Sequence, residues 1–117
     1  MALKSSAAPA PSPRKIREDL RLSRERMGRL VDVSAKTIER WEARDALPAS
    51  PALRSRLSKI QEIVRVGRAV FTREGFLEFL STPVAAEGGY TPLQLIELGQ
   101  PERVIAALAA DYEGLGY

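Results

Sequence analysis

The sequence predicts an all-α protein, and three observations support this fold class. Aliphatic residues are plentiful whereas only 6% of the residues are aromatic, which favours helices over sheets. In residues 51–71 apolar side chains recur at intervals of three and four, the period of an amphipathic helix. No segment alternates with period two, so no strand is predicted.

Three short helices are predicted in residues 12–48, each preceded by a serine that can cap its first turn. Ser12 precedes a proline at the first helical position. A second helix is expected over residues 23–31 and a third from Ser34 to about residue 44, with a tight turn at Asp32-Val33 between them. The residues expected to be buried are Ile16, Leu20, Met27, Leu30, Val31, Ile38 and Trp41.

A long helix and three short ones are predicted in the rest of the chain. The long helix covers residues 51–71 and carries two apolar stripes, so it is expected to be covered on more than one side. Thr91 and Gln94 form a capping box, and Pro101 starts a last helix that is expected to stop before Gly114. The predicted units are a disordered tail over 1–11, a DNA-binding domain over 12–50, a connecting and dimerisation helix over 51–71, and a C-terminal domain over 72–117.

The composition argues against an enzyme and against a metal site. The 117 residues include no cysteine and no histidine, which removes thiolate ligands, the commonest metal ligand and the usual general base. No cofactor site is predicted either. The absence of cysteine, of a secretory signal and of an apolar run long enough to cross a membrane points to a cytoplasmic protein.

The two parts of the chain differ in charge. Residues 1–70 contain 16 Lys and Arg against 8 Asp and Glu, a net +8, whereas residues 71–117 contain 2 against 7, a net −5. A basic front part and an acidic back part indicate two different partners, with phosphate the natural partner of the first. The alternative is a chance difference between solvated helix faces.

Residues 16–48 resemble the Xre/Cro-type helix-turn-helix. The resemblance rests on Leu22-Ser23, on the turn over residues 31–34, on the buried Ile38 and Trp41, and on the ending with Glu42 and Pro48. Asp32 stands where the family commonly has glycine, but aspartate tolerates a left-handed backbone. The resemblance implies that the third helix enters the major groove of DNA, with a dimer bound to a palindrome.

Six residues are DNA-binding candidates by this resemblance. Ala35, Lys36 and Arg40 match base-facing positions, and Arg or Lys there most often pairs with guanine. Arg24 and Thr37 match positions that reach phosphate, and Arg44 lies on the same outer surface. A solvated helix face is the alternative for the basic residues of the third helix.

The back part resembles the C-terminal toxin-binding domain of the Xre/MbcA/ParS antitoxins. The resemblance rests on the segments FLEFLSTP (76–83), YTPLQLI (90–96) and GQPERV (99–104), with a Gly-Gly loop between the first two. Phe79 stands where tryptophan is usual, and Gln100-Pro101 departs from the family's short break. Together with the front part, the resemblance covers about 100 of the 117 residues.

This resemblance implies an antitoxin whose partner is a RES-domain toxin, or a related enzyme that uses NAD. In the family the C-terminal segment docks on the toxin, and here that segment is DYEGLGY (111–117), acidic with an aromatic end. The alternative is that these residues only cap the helix or fray. The candidate toxin-binding residues are Phe76, Phe79, Tyr112, Glu113, Leu115 and Tyr117.

A second hypothesis is a stand-alone dimeric repressor whose C-terminal domain only dimerises. Both hypotheses predict DNA binding, so DNA binding cannot distinguish them. Only the antitoxin hypothesis predicts that the product of a neighbouring gene copurifies with this chain. An enzyme would need a catalytic cluster of side chains. Glu74 and Glu78 are four residues apart on a predicted helix, but two carboxylates without histidine favour a solvated helix face.

Overall fold

The computed structural model describes the backbone of residues 10–116 and the side chains of residues 10–110. This part of the chain contains seven α-helices, one turn of 3₁₀ helix at Ala85–Glu87 and no strand, which confirms the predicted all-α class. None of these helices is long and apolar enough to cross a membrane. The helices are α1 (Pro13–Asp19), α2 (Arg24–Val31), α3 (Ala35–Arg44), α4 (Pro51–Val70), α5 (Arg73–Ser81), α6 (Pro92–Glu97) and α7 (Pro101–Gly116).

Hydroxyl side chains set the start of the first six helices, as the sequence predicts for four of them. Each of these hydroxyls accepts a hydrogen bond from the backbone N–H three residues later, as Ser34 Oγ does from Thr37 N at 3.1 Å. At α6 both halves of the predicted capping box are present between Thr91 and Gln94. The capping residues are Ser12, Ser23, Ser34, Ser50, Thr72 and Thr91.

The turn between α2 and α3 has the left-handed residue that the sequence predicts. Asp32 has φ 59° and ψ 47°, and its N–H donates to the carbonyl of Gly28. Gly28 is needed here because a Cβ at this position would overlap the carbonyl oxygen of Val33. The turn therefore lies directly against α2 at Gly28.

One continuous apolar core joins the front and back parts of the chain. The long helix α4 packs against α1, α2, α5 and α7, so both of its apolar stripes are covered. The buried apolar residues of this core are Ile16, Leu20, Met27, Leu30, Val31, Ile38, Leu57, Ile60, Ile63, Val64, Phe76, Leu80, Leu93, Leu95, Ile96, Val104 and Leu108.

Arg56 on α4 adds a polar link between the two parts. Its Nε donates to the carbonyl of Leu30 at 2.8 Å, and its Nη2 donates to that of Ile96 at 2.8 Å. These carbonyls lie in the last turns of α2 and α6, where helices favour cations. An ion pair at 3.0 Å between Arg26 on α2 and Glu97 on α6 lies beside this link.

Two sequence expectations about these helices are wrong in detail. Trp41, expected to be buried, is only half-buried, and the fully covered side chain of that turn is Glu42. The backbone of α7 continues past Gly114 to Gly116. A glycine inside a helix costs only about 1 kcal/mol, so it does not by itself end one.

Candidate nucleic-acid interface and partner surface

The N-terminal ends of α2 and α3 meet at a polar cleft of about 400 Å³. The first N–H groups of a helix have no carbonyl partner within the helix, and such ends attract anions. The cleft contains three cationic and two anionic side chains. Its lining residues are Arg17, Ser23, Arg24, Glu25, Ala35, Lys36 and Glu39.

The outer face of α3 carries the residues that the sequence assigns to base contact. Lys36, Arg40 and Arg44 are exposed, whereas Ala35 and Thr37 are half-buried at the first turn. Arg40 Nη2 donates to Thr37 Oγ1 at 3.3 Å, so the two side chains lie together on this face. The arrangement leaves the ends of long cationic side chains in solvent, where they can reach base edges or phosphates.

Glu42 is the main feature of this region whose contacts the sequence did not reveal. Its carboxylate is buried on the inner side of α3, and Arg17 of α1 donates to both oxygens, at 2.6 and 2.9 Å. Arg14 Nη2 also donates to the Glu42 carbonyl oxygen at 2.9 Å. The position of Glu42 four residues after the buried Ile38 is a sequence signal that could have identified it as inward-facing.

The paired arginines keep the buried carboxylate ionised. The hydrogen bond from Arg17 is the largest cause that holds the pKa of Glu42 below 4.5, and it outweighs burial, which acts in the opposite direction. The same hydrogen bond raises the pKa of Arg17. The pair therefore stays charged at neutral pH.

Arg24, predicted to reach phosphate, is also tied to this carboxylate. Its Nε donates to Glu42 Oε1 at 3.1 Å, while 44% of the side chain remains exposed. The guanidinium has five N–H donors, so one side can hold Glu42 while the other faces the cleft. The structure thus brings Arg24, Ala35 and Lys36 together around one cleft, with Arg40 and Arg44 farther along α3.

The two aromatic residues assigned to toxin contact differ in burial. Phe76 is 2% exposed, and its ring lies where a Cβ on residue 67 of α4 would be, so it belongs to the core and has almost no surface to offer a partner. Phe79 is half-buried and stacks on Phe71, with ring centroids 5.2 Å apart. The other four candidates, Tyr112, Glu113, Leu115 and Tyr117, lie outside the residues whose side chains are described.

A second cleft, which the sequence did not indicate, lies between the end of α2 and α6. It has a volume of about 440 Å³ and is lined by Arg29, Asp32, Tyr90, Gln94, Glu97 and Leu98. Tyr90 and Leu98 lie just before and just after α6 in the sequence. They line this cleft because α6 packs beside the end of α2. Local periodicity carries no information about such a meeting of distant elements.

The fold is similar to that of a chain in the crystal structure of the M. tuberculosis MbcT-MbcA toxin-antitoxin complex. The TM-score is 0.70 and the sequence identity is 24%, and the match covers 87% of this chain and 91% of that chain. No family model and no curated protein matches the sequence. The two chains therefore share a fold, and the shared fold extends over both the front and the back parts of this chain.

Proposed function

We propose that this chain is an antitoxin, a binding protein rather than an enzyme, that neutralises a toxin by direct contact. The observation that carries the proposal is the fold shared with a chain of the MbcT-MbcA complex, whose antitoxin is MbcA, over nearly the full extent of both chains. The resemblance of residues 76–83, 90–96 and 99–104 to the toxin-binding domain of such antitoxins supports it independently.

The proposed toxin is a RES-domain protein, or a related enzyme, that consumes NAD. An enzyme that binds the pyrophosphate of NAD needs cationic groups in its cleft, and the back part of this chain has a net charge of −5. The acidic segment 111–117 has the chemistry to enter such a cleft. Of the two candidate aromatic residues whose side chains are described, Phe79 keeps part of its ring at the surface of α5 and is the one available for contact.

The second half of the proposal is that the chain represses its own operon in the cytoplasm by binding duplex DNA as a homodimer. Lys36 and Arg40 are the proposed base-reading residues, and Arg24, Thr37 and Arg44 would hold phosphates. The exposed cationic face of α3 and the cleft between the N-terminal ends of α2 and α3 support this assignment. One helix-turn-helix contacts one half-site, so a dimer is expected.

Coexpression with the adjacent gene tests the proposal. We expect the product of that gene to arrest growth when expressed alone, and growth to resume when this chain is coexpressed and copurifies with it. Arg40→Ala serves as a matched variant that should retain rescue while it loses repression of the operon. Absence of arrest, or rescue without copurification, would contradict direct neutralisation.

A further inference from the structure

Two arginines share the buried carboxylate of Glu42, but they differ in how many donors they leave free. Arg17 uses all three of its side-chain nitrogens inside the fold, two on Glu42 and Nη1 on the carbonyl of Leu22 at 3.2 Å. Arg24 donates to Glu42 from Nε, and its Nη2 lies 3.1 Å from the same oxygen. Among residues 10–110, Nη1 of Arg24 has no acceptor. Arg24 is therefore the one of the two with a donor edge left for an acceptor outside the chain.

The carboxylate that holds Arg24 is itself fixed in place. The side chain of Glu42 is 1% exposed, and Arg17 binds both of its oxygens. The side chain of Arg24 is 44% exposed and lines the cleft between the N-terminal ends of α2 and α3. An arginine that is already held at one edge loses less rotamer freedom when it binds a phosphate than a free one does.

We propose that Glu42 is a positioning residue for DNA binding, which holds Arg24 so that the free edge of its guanidinium meets a backbone phosphate at this cleft. The planar fork of an arginine can serve a carboxylate at one edge and a phosphate at another. This inference rests on the proposed DNA binding. It adds to that site a buried anion that does not touch DNA and acts only through Arg24.

The proposal predicts the opposite sign from simple electrostatics. A carboxylate near the cleft repels phosphate, so its removal alone would tighten DNA binding. Glu39 is the matched control, because it lies on the same helix, lines the same cleft and is exposed. On an operator duplex selected from random DNA with the wild-type chain, Glu39→Gln should bind somewhat more tightly. Glu42→Gln makes the same change of charge but should bind about tenfold more weakly, because Arg24 is no longer held.

The salt dependence of binding separates positioning from a loss of folded protein. Each phosphate contact that is lost lowers the slope of log affinity against log salt by about 1 per chain, whereas a smaller folded fraction leaves that slope unchanged. Glu42→Gln and Arg24→Ala should therefore lower the slope equally, and the double variant should lower it no further. Fluorescence anisotropy at several salt concentrations gives the slopes, and circular dichroism gives the folded fraction.

Arg24→Lys tests the proposal without disturbing the pair between Arg17 and Glu42, so it applies even if Glu42→Gln does not fold. Lysine keeps the charge but carries it on a single nitrogen, which cannot present one edge to Glu42 and another to a phosphate. We expect Arg24→Lys to lose most of the operator affinity that Arg24→Ala loses.

Either of two results would overturn this inference while DNA binding by the wild type stands. One is a folded Glu42→Gln chain that binds as tightly as Glu39→Gln, with an unchanged salt slope; Glu42 would then only compete with phosphate for Arg24. The other is an Arg24→Lys chain with the affinity and slope of the wild type. A wild-type chain that selects no DNA at all would overturn the proposed DNA binding and this inference together, so the two failures are distinguishable.

Discussion

Arg17 and Glu42 form a two-point ion pair that joins the first helix of the chain to the helix proposed to read DNA. Two guanidinium nitrogens of Arg17 lie 2.6 and 2.9 Å from the two carboxylate oxygens of Glu42, which is 4% exposed. The same carboxylate accepts from Arg24 at the start of α2. One buried carboxylate thus fixes the relative positions of α1, α2 and α3.

Removal of the charge on Glu42 should therefore destabilise the fold. We expect Glu42→Gln to lower the free energy of unfolding by about 2–4 kcal/mol, because it leaves a mostly covered arginine without its ionised partner. The pair is not fully buried, since Arg17 keeps 19% of its side chain exposed. Urea denaturation measures the loss, and Glu39→Gln on the exposed side of α3 should change stability by less than about 0.5 kcal/mol.

The same pair predicts how stability depends on pH. The pKa of Glu42 is lowered in the folded chain, so the unfolded chain binds the proton more readily as pH falls. The stabilisation that the Arg17–Glu42 pair gives to the fold is present above pH 4.5, which is the ordinary pKa of a glutamate. It is lost as pH falls through the lower pKa that Glu42 has in the folded chain. Unfolding midpoints measured from pH 7 to 3 should fall more for the wild type than for Glu42→Gln; parallel curves would contradict the assignment.

Arg40 is expected to contribute to DNA sequence preference. Arg40→Ala should weaken binding to the selected operator by roughly 1–3 kcal/mol and relax preference at one base pair. Selection from random DNA followed by affinity measurement at fixed salt gives both quantities. Arg65→Ala, at an exposed arginine of α4, is the control. If Arg40→Ala keeps both affinity and preference, Arg40 does not contact a base.

Gly67 and Phe76 should behave as one packing unit. Gly67→Ala places a methyl group where the Phe76 ring lies, so we expect a loss of about 1–3 kcal/mol in spite of the better helix propensity of alanine. The double variant with Phe76→Leu should recover part of that loss in urea denaturation, because the smaller side chain frees the space. Equal losses in the single and double variants would show that the contact is not limiting.

The C-terminal segment is expected to contribute to inhibition more than to binding. A chain truncated after Asp111 should still copurify with the product of the adjacent gene but should neutralise it poorly, if the acidic segment blocks a cationic cleft. Growth rescue and copurification, measured together, separate the two effects. Full neutralisation by the truncated chain would mean that residues 112–117 are not the inhibitory element.

Local features of the fold could be predicted from the sequence. Ser34 as a cap and Asp32 as a left-handed residue depend on contacts within four residues, so the residue types alone indicate them. The outer face of α3 was also predictable because Lys36 and Arg40 are four apart and lie away from the buried Ile38.

Features that depend on contacts between distant residues were missed. Arg17 and Glu42 are 25 residues apart in the sequence, and Arg56 bonds to carbonyls 26 and 40 residues away. The cleft at Tyr90 and Leu98 likewise depends on contacts between two distant elements, α2 and α6. No prediction covered the positive φ values of Arg21 and Asp45, although aspartate is a residue type that tolerates the left-handed region.

Titration of the purified product of the adjacent gene with this chain tests the central claim most directly. The two proteins should coelute in size-exclusion chromatography, and the NAD consumption that we propose for that product should disappear as this chain approaches an equimolar amount. Separate elution, with NAD consumption unchanged at a molar excess of this chain, would contradict the account.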